Sequence, residues 1–157
     1  MLNFEFELNA DEIGKQIHGL SMGHITVKGK FGSATSKNRV PDQAMMLFIS
    51  IRDLLYAIIS LNSRKGGFHI IFEGIDSSFS IKFYKKKNHI EVIINTIKID
   101  EVMQNELIKA ISNSLNKFLS TYSSNFDRGR GDTGDRVFAD LYDALEEFKE
   151  LLEGNLN

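Results

Sequence analysis

DQAMMLFISIRDLLYAIISLN, residues 42–62, decides how the rest of this chain must be arranged. From Ala44 to Leu61 apolar side chains occupy nearly every helical position, so a helix here is apolar round most of its circumference. Such a helix has to be covered on several sides, by lipid or by the rest of a fold. The adjacent charges Arg52 and Asp53 at its middle argue against lipid, where both would be expensive. A fold must be built over it.

Its ends carry punctuation. Pro41 stands where the helix should begin, and Asp42 is placed to cap the first turn and to suit the helix dipole. Arg64 and Lys65 fall near the last carbonyls, and Gly66-Gly67 offers a left-handed stop. A thin stripe of Ser50, Asp53, Ala57, Ser60 and Arg64 is expected to face solvent.

Working outward, residues 2–8 alternate Leu2, Phe4, Phe6 and Leu8 with polar Asn3, Glu5 and Glu7, the pattern of a half-buried strand. Residues 11–19 read as irregular, 24–30 as a second strand, and GSATSKN at 32–38 as a surface loop. After the helix, three runs alternate around Phe68–Phe72, Phe79–Phe83 and Ile90–Ile94, with Ile97 and Ile99 extending the last. Spacers this short force antiparallel hairpins, because a parallel return needs a long crossover. Asp100 is placed to cap a second helix over 101–122, with Met103, Leu107, Ile111, Leu115, Phe118, Leu119 and Tyr122 on its apolar side. SSNFDRGRGDTG, 123–134, reads as a long loop, and Asp135 as the cap of a third helix reaching Glu153. Val137, Phe138, Leu141, Tyr142, Leu145, Phe148, Leu151 and Leu152 are expected inward on it.

The expectation is a single α+β domain over 1–157, ordered ββ-α-βββ-α-α: one antiparallel sheet of about five strands packed on the buried helix, with a C-terminal helical hairpin. Length and composition agree, since 157 residues with 42% hydrophobic and 25% charged content can bury a proper core. The absence of cysteine removes disulfides, thiolate metal sites and a cysteine nucleophile. MLNFEFELNADE lacks a basic start and a long apolar run, so no secretory signal is read there and a cytoplasmic location, away from membranes, is expected.

Five stretches are candidates for chemistry, each with a plainer alternative. Gly19-Leu20-Ser21-Met22-Gly23 fits G-x-S-x-G, the elbow that presents a nucleophilic serine and the basis for a small hydrolase. That elbow needs a helix after it, whereas strand-like HITVKGK follows, so a glycine-rich turn is the plainer reading. His18, His24, His69 and His89 share no metal-ligand spacing, so no metal or other cofactor is expected. DRGRGDTGD interleaves Gly and Arg like a phosphate cradle but lacks the P-loop spacing, and its aspartates would repel an anion. Lys85, Lys86 and Lys87 with Lys82 and Tyr84 are the best nucleic-acid candidate, weighed against a tip that merely keeps a hairpin soluble.

The fifth is the outward face of the third helix: Asp140, Asp143, Glu146, Glu147, Glu150 and Glu153. Charge on a solvated helix face usually means solubility alone. Here it belongs to a wider polarity: residues 1–99 hold 13 Lys and Arg against 9 Asp and Glu, a balance of +4, while 100–157 hold 6 against 12, a balance of −6. A single-sign ridge of this kind steers a basic partner.

A small α+β chain without an enzyme motif and with an acidic ridge resembles bacterial toxin-immunity proteins, such as those of contact-dependent growth inhibition systems. The strings MMLFISIRDLLYAI and FEGIDSSFSIKFY also look like small bacterial proteins. The resemblance implies a non-enzymatic module that binds and neutralises a cognate protein toxin, such as a basic nuclease, and it carries over no binding residue. Nucleic acid is then not the expected partner. A generic adaptor or assembly subunit, a nucleic-acid binder using 85–87 and a small hydrolase remain the alternatives.

Overall fold

The computed structural model describes residues 1–122 and 136–154. Its elements are β1 Asn3–Leu8, β2 Met22–Lys28, β3 Ser33–Thr35, β4 Met45–Met46, α1 Leu47–Asn62, β5 His69–Glu73, β6 Ser80–Lys86, β7 His89–Ile94, β8 Ile97–Met103, α2 Gln104–Ser120 and α3 Arg136–Gly154. The fold is α+β with antiparallel strands, but it has two four-stranded sheets in place of the one expected. In the first, β2 pairs with β1 and, along its other side, with β3 and β4; the second runs β5-β6-β7-β8.

Two local features account for two of the three extra strands, β8 and β3. Asn95 and Thr96 both take positive φ (51° and 65°), a tight reversal that splits the last alternating run into β7 and β8. Within 32–38, Ser33–Thr35 extends alongside β2, with the Thr26 and Thr35 hydroxyls 2.7 Å apart. The two sheets meet where Phe31 N–H donates to Ile99 O (2.9 Å) and Lys30 N–H donates to the Asp100 carboxylate (3.0 Å).

The buried helix is there, but it starts four residues later than its punctuation implies. Met45 and Met46 pair with Gly23 and Met22 as a short strand, and the helix opens at Leu47 with no side-chain cap. Asp42 accepts from Ala44 N–H (2.9 Å) in a local turn upstream. Gly23 makes the pairing possible, since a Cβ there would lie 2.4 Å from Glu7 O and 2.7 Å from a Leu47 methyl. At the other end the helix stops at Asn62, and the positive φ of Gly67 serves the loop beyond.

The expected solvent stripe is corrected too. Ser50 and Ala57 are buried, and the exposed residue on α1 is Tyr56. Ser50 is tolerated inside because its hydroxyl donates to Met46 O (2.8 Å) and accepts from Ile75 N–H (2.9 Å). Asp100 likewise caps no helix: it lies buried in β8, accepting from Lys30 and Glu101 amides, and α2 starts at Gln104.

α3 lies along α1 and shields its far side, with the Phe48 and Phe138 rings edge-to-face at 5.0 Å. α2 packs chiefly on β1, placing Phe118 6.2 Å from Phe6 and 5.9 Å from Phe48. One continuous hydrophobic cluster runs through both sheets and the helices α1, α2 and α3 of the described residues, and includes Leu47, Ile51, Leu54, Leu55 and Ile58. Among the described residues no helix is long and apolar enough to cross a membrane.

Candidate functional site: the acidic face of the third helix

Phe138, Leu141, Ala144 and Phe148 recur at helical spacing and are buried against α1. That periodicity turns Asp143, Glu146, Glu147, Glu150 and Glu153 outward, and all five are exposed. Among the described residues none of the five has a cation within ion-pair distance. Asp140 differs from them. It is half-buried, 3.7 Å from Arg52 and 3.3 Å from Arg136, so its charge is answered within the fold.

Arg52 is the hinge of this corner. Its guanidinium donates to Asp53 Oδ1 from two nitrogens (3.1 and 2.9 Å) and reaches Asp140 across the helix interface. Arg52, Asp53, Tyr56, Asp140 and Asp143 together line a depression of about 330 Å³. Tyr56 stands at its rim, 39% exposed. Partial burial pushes its hydroxyl above the ordinary tyrosine range, and the negative field of Glu147 and Asp143 pushes it further. A phenol kept neutral is a ready donor, and its ring offers a face to a cation.

The other sequence candidates come apart in space. The three tip lysines point three ways: Lys85 is buried and donates to Leu61 O (3.1 Å), Asn62 O (3.3 Å) and Arg64 O. Lys86 is held by Glu91 and lies 3.9 Å from Glu101. Lys87 is exposed at the turn with no ion-pair partner among the described residues, on a cleft of about 540 Å³ shared with Arg64, Lys65, Asn88 and Asn105. Ser21 is fully buried ahead of a strand, its hydroxyl accepting from His18 N–H (3.0 Å), so it does not form the exposed elbow of G-x-S-x-G. The four histidines are dispersed. His18 accepts from Leu20 N–H, His24 bonds the Ser36 hydroxyl at 3.0 Å, and His69 and His89 are exposed on the second sheet. Residues 123–135, with the DRGRGDTGD stretch and Asp135, lie outside the described residues.

Two features of this corner were not singled out from sequence. Tyr56 is exposed within a helix that is otherwise buried or half-buried, and Ile71 is exposed (53%) on the face of β5 opposite buried Phe72. Tyr56 looks like an ordinary core residue in an apolar run, whereas Ile71 falls with His69 and Glu73 on the alternate face of its strand. The class thus defined is an antiparallel α+β protein carrying an acidic helical face beside a tyrosine. Compared with known proteins, the chain matches no family model, no curated protein and no solved structure.

Proposed function

We propose that this chain is a non-enzymatic protein-binding module, an immunity protein that engages a basic cognate toxin in the cytoplasm through the acidic face of α3. The observation that carries the reading is the run of five exposed carboxylates, Asp143 to Glu153, none with a cation partner among the described residues. Like charges three or four apart repel slightly on a helix, so the clustering costs stability and is better suited to a partner than to the free fold. Such a face raises the encounter rate with a basic surface and competes for the cations that would otherwise hold phosphate.

The test is co-expression with the toxin encoded beside this chain. Wild type should co-purify with that toxin and protect cells from it. Asp143→Asn, Glu147→Gln and Glu150→Gln combined should weaken both, while leaving the fold intact. Failure to bind or protect, or protection untouched by these changes, overturns the reading.

A further inference from the structure

β5 is the open edge of the second sheet, and its ladder shows which backbone groups are unused. At one end Lys85 N–H donates to Phe68 O (2.8 Å), and at the other Gly74 N–H donates to Phe79 O (2.9 Å). The register between them is uninterrupted, so the even-numbered residues of β5 bond to β6. The amides and carbonyls of His69, Ile71 and Glu73 therefore point away from the sheet. Among the described residues they meet no hydrogen-bond partner. The opposite edge of the same sheet is engaged, since Ile99 O accepts from Phe31 N–H.

Natural edge strands are usually blunted by lysine, proline, a bulge or a covering element. β5 has none of the first three, and its central outward side chain is Ile71. Beside it runs a groove of about 510 Å³, with Asp53, Tyr56 and Ala57 of α1 forming one wall and Ile70, Ile71 and Glu73 the other. The field along that groove is negative: Glu73 lies on the strand, while Asp143 and Glu147 are near enough to act on Tyr56.

We infer that the β5 edge accepts an extended segment of the basic partner as an added antiparallel strand, with alternate basic side chains reaching across Tyr56 toward Asp143 and Glu147. This rests on the reading of the acidic face given above and names how the partner docks. Main-chain bonds to residues 69, 71 and 73 supply the register, and side chains supply the choice. The intervening residues of the segment lie beside Ile71, where β-branched apolar side chains pack best. A second copy of this chain is the poorer occupant, because it would bring its own Glu73 into a groove that is already acidic.

The experiment uses a synthetic peptide of alternating lysine and valine, its glutamate–valine counterpart, and a lysine–valine peptide N-methylated on the amides that would face β5. The expected result is that the basic peptide slows hydrogen exchange at the amides of His69, Ile71 and Glu73. N-methylation, or Ile71→Pro in the protein, should weaken binding about tenfold or more, as losing several main-chain bonds requires. Because the Ile71 amide faces outward, proline there removes no bond to β6, and the N-methylated peptide keeps the protein unchanged in any case. Binding that needs Asp143 and Glu147 but ignores N-methylation and Ile71→Pro overturns strand addition and leaves the acidic-face reading standing. Absence of binding, or equal binding of the acidic peptide, overturns strand addition, while the acidic-face reading stands or falls with the co-expression test. Self-association of the chain that Ile71→Pro abolishes overturns the choice of occupant in favour of a second copy.

Discussion

The ammonium of Lys85 lies 3.1 Å from the carbonyl oxygen of Leu61, so a lysine of β6 closes the last turn of the buried helix α1. The last carbonyls of a helix have no intrahelical partner, and a cation at this end also answers the helix dipole. Burial lowers the Lys85 pKa, which marks the desolvation this arrangement sets against its three hydrogen bonds.

Removing that cap should destabilise the fold. Lys85→Met keeps the aliphatic stem and leaves buried carbonyls unpaired, at a cost of about 2 kcal/mol. Lys86→Met, whose exposed ammonium pairs with Glu91 and lies 3.9 Å from Glu101, should cost far less, because exposed ion pairs contribute little. Urea unfolding of the two variants measures the difference. Equal midpoints would mean that the Lys85 bonds contribute no more than a surface ion pair.

The buried face of α1 supplies a second contrast between neighbours. Leu55 is fully buried and Tyr56 is 39% exposed, although both sit in one apolar run. Leu55→Ala, like Ile58→Ala, should cost about 2–5 kcal/mol through lost burial and the cavity left behind. Tyr56→Ala should cost less than half of the Leu55 value, and it should leave the unfolding cooperative.

These pairs also show what was legible in the residues and what was not. Leu2, Phe4, Phe6 and Leu8 are all buried, as strict alternation requires, and five of the six α3 carboxylates are exposed as their spacing implies, Asp140 being half-buried beside Arg52. The start of α1 could not be placed, because Met45 and Met46 are as apolar as the helix itself. Only their pairing with Gly23 and Met22, some 20 residues away, makes them strand. The Asn95–Thr96 turn was hidden for another reason: left-handed backbone there is adopted without glycine. Tyr56 belongs to the candidate site through tertiary coverage, which local pattern does not carry, whereas Ile71 lies on the strand face that alternation assigns it.

His24 gives the fold a pH dependence. Burial lowers its pKa from the ordinary 6.5 and outweighs the opposing pull of Asp42 and Glu7. Between the lowered folded value and 6.5 the unfolded chain binds the extra proton, so stability falls as pH drops through that window. His24→Gln should flatten this part of the curve, from about pH 6.5 downward. An unchanged slope in the variant would assign the dependence to other groups.

Tyr56 reports directly on the acidic face. Its hydroxyl is raised first by burial and then by the charges of Glu147 and Asp143, with Arg52 opposing them. Glu147→Gln should therefore bring the tyrosine back toward its ordinary range, and Asp143→Asn should do the same to a lesser degree. Glu153→Gln, at the far end of α3, should leave it where it is. The ring carbons of Tyr56, followed by NMR through the alkaline limb, separate it from Tyr84, Tyr122 and Tyr142. Added salt should shrink the Glu147 effect, because exposed charges are screened over about 10 Å at 0.1 M ionic strength. If Glu147→Gln leaves Tyr56 unmoved at low salt, the carboxylates do not converge on the groove beside β5. A basic segment would then have no electrostatic reason to choose that edge over any other part of the α3 face.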